Sequence, residues 1–171
     1  MDRMLHRAGA MLGALAIALL ASGCTPEPTP TPSPTGFASE EEAFAAAEAT
    51  YRAYVDAVNA RRADPTSEPD PTDLLTASAY NDHVETQRAL EERDWRIEGA
   101  TSIASVEHLS TTSNTIELSA CLDASQTRVL DSIGNDVTPP DRDERLIVNV
   151  TVTSGPTVLA ISRSIAVDSE C

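Results

Sequence analysis

Tyr54, Tyr80, Asp82, His83 and His108 are the side chains of this chain that could move a proton next to a carbonyl group. A buried acid–base pair with tuned pKa values would abstract and return such a proton. Asp82 and His83 are adjacent on one expected helix, however, so their side chains diverge. Tyr80 and Val84 define the expected inward face, which puts His83 at its boundary or in solvent. His108, beside Leu109, reads as a solvated loop residue at a strand end. Other chemistries find less. No Gly-x-Ser-x-Gly elbow exposes a nucleophile, and Gly134-Asn135-Asp136 is a turn, not a phosphate cradle. No CxxC pair or Cys/His cluster has zinc spacing. Asp141-Arg142-Asp143-Glu144, after Pro139-Pro140, is a solvated charge run entering a strand. Asn149-Val150-Thr151 fits a glycosylation sequon but lies in an expected strand. The expectation is no catalytic residue, no metal and no cofactor, hence no enzyme.

Chemistry of another kind is written into the first 24 residues. Arg3 and Arg7 precede an apolar run from Ala8 to Leu20, followed by small residues and Cys24. That run of 13 residues is too short for a bilayer span, which takes about 20, and has the charge pattern of a secretory signal peptide over 1–23. Leu20-Ala21-Ser22-Gly23-Cys24 resembles the lipobox of bacterial lipoproteins. The resemblance implies that Cys24 begins the mature chain and carries fatty chains of the palmitate kind, whose buried methylenes contribute about 0.8 kcal/mol each. A plain secretory signal cut elsewhere is the alternative. Residues 24–38 then form the lipidated cysteine and a linker, with proline alternating up to Pro34. Such a tract favours extended polyproline structure and acts as a spacer.

Composition limits the partners. The formal charge is −15, and all 12 basic side chains are arginine. Nucleic acid and anionic lipid headgroups, which need clustered positive charge, are therefore poor partners. Apart from Cys24, Cys121 and Cys171 remain, in a compartment where disulfides persist. A bridge between them is the expectation, with free thiols or intermolecular pairing as alternatives.

The elements fall into two halves of one domain, residues 39–171. Ser39 with Glu42 forms a capping box, and Phe44, Ala47, Tyr51, Val55 and Val58 mark one face of a helix over about 40–62. Thr72 is expected to cap a short turn through Leu74 and Leu75. A second helix over about 78–93 turns Tyr80, Val84 and Leu90 inward. The period then changes to two: Ile116, Leu118, Ala120 and Leu122; Leu146, Val148, Val150 and Val152; Leu159, Ile161, Ile165 and Val167. Trp95–Leu109 reads as one earlier, bulged strand and Gln126–Leu130 as a short one. Helices followed by alternating strands predict an α+β domain, with N-terminal helices on one face of a curved antiparallel sheet.

This order resembles the cone-shaped nuclear-transport-factor-like fold. More narrowly, the chain is similar to actinobacterial lipoproteins with a proline-rich spacer before such a domain. The narrower likeness rests on Leu20–Cys24, Ala53-Tyr54, Asp94-Trp95, Ala120-Cys121-Leu122-Asp123, the hairpin Val129–Gly134 and Cys171. It implies a cavity between sheet and helices and no particular activity; relatives of the fold include isomerases, dehydratases and polyketide cyclases. Tyr54, Tyr80 and Trp95 would line that cavity, although Trp95, the only tryptophan, reads first as a core plug. A lipid-anchored interaction or accessory domain of the cell envelope, on the outer face of the cytoplasmic membrane, is the leading expectation, with a protein partner there. A binding protein for a small apolar ligand is the alternative, and an isomerase- or cyclase-like enzyme stands behind both. A dimer through the exposed sheet face is also open, because Ile147 and Ile161 complicate a one-faced pattern.

Overall fold

Helix α1 (Glu40–Ala63) begins where its sequence signals place it. The Ser39 side chain accepts from the Glu42 N–H, and Glu42 reaches back to the Ala38 N–H at 2.6 Å. Glu40–Glu42 occupy the positive end of the helix and Arg61 and Arg62 the negative end, both favourable for the helix dipole. In this computed structural model, which describes residues 36–154, 158–167 and 171, α1 buries Ala43, Ala47, Tyr51, Val55 and Ala57. The expected stripe is shifted by a fraction of a turn: Phe44 packs only at the margin and Val58 is half-buried. Small alanines take the deepest positions because they let the helix approach the sheet closely. The expected signal peptide over 1–23, Cys24 and the expected linker up to residue 35 lie outside the described residues.

The architecture is α+β, two helices against a curved antiparallel sheet. Strands β2 (Ser102–Thr111), β3 (Thr115–Asp123), β5 (Arg145–Ser154) and β6 (Leu159–Val167) run in the order β2-β3-β5-β6. Ile116, Leu118, Ala120, Val148, Val150, Val152 and Ile161 form the buried face beneath α1. Cys121, on the opposite face, is bonded to Cys171, with 5.9 Å between Cα atoms.

The expected phase of β6 fails after Ile161. Val152 pairs with Ile161 but Thr151 pairs with Arg163, so Ser162 is an extra residue whose hydroxyl donates to the Thr151 carbonyl at 3.2 Å. One bulged residue reverses the faces of everything after it. Ser164 thereby turns inward on the Tyr51 side of the sheet, while Ile165 is 40% exposed and Val167 lies on the outer face. Ile161 itself is fully buried, whereas Ile147 shares the outer face with its cross-strand partner Cys121.

Trp95–Leu109 is two strands, not one. β1 (Arg96–Glu98) pairs with β4 (Arg128–Leu130) in a separate ribbon, and the expected strand at Gln126 begins two residues later. The break falls at Gly99, whose φ of +86° favours glycine, and a Cβ there would overlap the Gln126 carbonyl oxygen. Gly99→Ala combines a left-handed backbone cost with backbone overpacking, so a loss of about 3 kcal/mol is expected. Urea unfolding checks this; an unchanged midpoint would mean that the β1–β2 corner is not held as described.

The 3₁₀ helix Pro71–Leu74 is capped by Asp70, not Thr72. The Asp70 carboxylate accepts from the Thr72 N–H and hydroxyl at 2.9 and 2.7 Å. Leu75 then bridges β6 at Ile161, Thr76 N–H donates to the Ile161 carbonyl, and the Ser78 hydroxyl donates to Ser162 O. These bonds seat the start of helix α2 (Ala77–Glu91) on the edge strand. Its buried residue is Ala79; Tyr80, expected inward, is 45% exposed, and Val84 and Leu90 are half-buried. A small side chain again marks the face that touches the sheet.

Candidate functional site

Tyr54 on α1 and His83 on α2 meet across the helices. Their hydroxyl and Nδ1 atoms are 3.1 Å apart, and the rings make an edge contact at 6.0 Å. Tyr54 follows Tyr51 by three residues on the same side of α1, and the two rings stack at 6.2 Å. Burial raises the Tyr54 pKa, and Arg62 nearby pulls it partly back. Arg62 is itself lowered by burial, and its guanidinium donates to Thr101 Oγ1 at 2.9 Å. Asn59 ties the end of α1 to the same loop through both the amide and carbonyl of Thr101. Arg61 pairs with Asp70 at 2.7 Å.

His83 makes the pair sensitive to acid. Burial lowers its pKa below 6.5, with Asp70 acting weakly the other way. A base whose folded pKa is depressed favours folding in its neutral form. That contribution is complete above the unfolded value of 6.5 and is lost as pH falls through the folded value. Asp64, Asp70, Asp123, Asp131 and Asp136 are held below their ordinary 3.8 by local hydrogen bonds, so their contributions persist to lower pH. An acid limb that starts near neutrality and flattens in His83→Gln is expected in unfolding midpoints taken from pH 7 to 5. An identical limb in the variant would remove His83 from the account.

The remaining acid–base candidates do not join this pair. Asp82 faces a different side of α2, lining a surface groove. His108 lies within β2, not in a loop; its ring contacts Phe44 at 5.2 Å and its Nε2 lies 2.6 Å from Thr111 Oγ1. Nor do Tyr54, Tyr80 and Trp95 line one pocket. Tyr54 bonds His83, Tyr80 points outward, and Trp95 is 37% exposed at the far end of α2. Trp95 is therefore not a core plug.

Its position follows from how α2 stops. Asp94 takes φ +52°, its N–H donates to Glu91 O at 3.0 Å, and Trp95 N–H donates to Leu90 O at 2.9 Å. This is a Schellman ending, whose usual apolar contact joins the residues at Leu90 and Trp95. The Arg93 guanidinium lies 5.6 Å from the Trp95 ring centroid. Between α2 and Trp95 runs an open depression of about 410 Å³. A second, of about 290 Å³, lies on the outer sheet face around Leu109, Glu117, Arg163 and Ile165.

Among the described residues, no group of three or more His, Cys, Asp or Glu gathers to hold a metal ion. No described helix is long and apolar enough to cross a membrane. Set against known protein families, curated proteins and solved structures, the chain matches none.

Sequence reasoning missed the Tyr54–His83 pair and the groove. The spacing Tyr51, Tyr54, Val58 carried a signal for the first, since it prolongs the apolar face of α1. The second had only Asp94, a residue type that tolerates the left-handed conformation.

Proposed function

We propose that this chain is an exported envelope protein, anchored through Cys24 on the outer face of the cytoplasmic membrane, whose domain 39–171 is a non-enzymatic interaction or accessory module. Residues 1–23 serve as signal peptide and 24–38 as lipidated spacer. The domain is a variant of the nuclear-transport-factor-like cone. One observation carries the choice of module over enzyme or carrier: the space between helix and sheet is filled by the protein's own side chains. Tyr51, Ile116, Leu118, Val150, Val152 and Ile161 are each less than 2% exposed. The three aromatics that would line a ligand cavity stand apart, and the Tyr54–His83 pair satisfies itself without a third group to orient it.

The alternative, a binding protein for a small apolar molecule, draws on the depression beside Trp95. Native mass spectrometry of the processed chain separates the two: a bare mass supports the module, and a small molecule released on denaturation supports the carrier. Anchoring is tested by Cys24→Ser, which should abolish membrane retention. Unchanged processing and retention would sink the lipoprotein part.

A further inference from the structure

We infer that the groove between α2 and Trp95 docks a basic amphipathic segment of a partner protein; this rests on the interaction-module reading above. The groove face of α2 carries Asp82, Glu85, Ala89, Leu90 and Arg93, with Trp95 closing the far end. Steps of three and four residues align these side chains on one face of the helix over three turns, roughly 16 Å.

Charge and polarity are separated along that length. Asp82 and Glu85 lie at the start; Ala89, Leu90 and the exposed indole of Trp95 lie at the end. Arg93 is already stacked against Trp95, and its positive charge would repel a cation placed over the indole. A complementary occupant therefore sets Lys or Arg against Asp82 and Glu85 and an apolar side chain against Leu90 and Trp95, two to three helical turns apart. The net charge of −15 steers such a segment toward the surface. A small ligand fits less well, because the groove is open along the helix instead of enclosed. The structural origin of the surface is also plain. α2 is seated on β6 through its first turn, while the Schellman ending holds Trp95 beside Leu90 without burying it.

Trp95 is the only tryptophan in the chain, so its emission reads the site directly. The processed full chain is titrated with a 14-residue helical peptide of Leu and Lys, and with its Leu and Glu counterpart. The Lys peptide should shift Trp95 emission to the blue. Asp82→Asn with Glu85→Gln should weaken its binding about tenfold. Glu40→Gln with Glu41→Gln, which removes the same charge from the first turn of α1, outside the groove lining, should change it less than twofold. Equal weakening by both pairs, equal binding of the Glu peptide, or a silent Trp95 overturns the groove. A photo-crosslinking residue at Leu90 or at Ile165 in the anchored chain then separates this proposal from the reading beneath it. Capture from Leu90 of a protein segment rich in Lys or Arg supports the groove. Capture from Ile165 alone overturns the groove and leaves the interaction module standing, and capture from neither overturns both.

Discussion

Removing the disulfide, by Cys121→Ala with Cys171→Ala, is expected to cost about 4 kcal/mol of stability. The bridge closes a loop of 50 residues, and in the chain-entropy account a loop of that length restricts the unfolded ensemble by about this amount. Small domains hold only about 5–15 kcal/mol in total, so the variant should melt roughly 15 °C lower. Cys121 is 6% exposed, and alanine fills that site without a polar atom, so most of the loss belongs to the missing cross-link. Urea unfolding with and without reductant makes the comparison within a single protein. If the reductant leaves the midpoint where it was, the two sulfurs are not joined.

Truncating Tyr51 should cost about as much through a different mechanism. Tyr51 is 1% exposed, is the largest fully buried side chain among the described residues, and sits between Ala47 and Val55 on α1 over the sheet. Tyr51→Ala removes a ring from a packed interior and leaves a cavity, a change that costs about 3–5 kcal/mol for a buried aromatic. Burial raises the Tyr51 pKa far above its ordinary 10, with the neighbouring Ser164 side chain acting the other way, so the phenol stays neutral and its hydroxyl contributes little beside the packed ring. Tyr51→Phe should therefore lose only about 1 kcal/mol. Unfolding free energies of the pair test the ring and the hydroxyl separately. Equal losses would mean that the hydroxyl, not the packing, holds the site.

The contrast between legible and illegible elements has physical causes. The ends of α1 were readable because Ser39, Glu40–Glu42, Arg61 and Arg62 act on helix termini within a few residues. β3 and β5 were readable because one buried face imposes strict alternation along each strand. β6 was not, because Ser162 adds one residue and no composition marks a bulge; Ile165 has the parity of Ile161 in sequence and the opposite face in space. Tyr80 reads as the inward face of α2 in sequence because its apolar bulk is the usual sign of burial. At a close helix–sheet approach the small residue wins, and Ala79 is the one that touches. The Tyr54–His83 bond spans 29 residues, a pairing that no local pattern encodes. The exposure of Trp95 is illegible for a related reason: it depends on the left-handed turn at Asp94, which composition does not reveal.

The bridge from Cys121 to Cys171 also changes what a protease can accomplish. All of β4, β5 and β6 lie within the covalent circle it closes. A single cut at any peptide bond between these two cysteines opens the circle but releases no fragment, since both pieces stay joined through sulfur. The nicked molecule gains only the water of hydrolysis without reductant and falls into two only when reduced. One nick therefore leaves the two pieces covalently tied, where a linear chain of the same fold would be free to part.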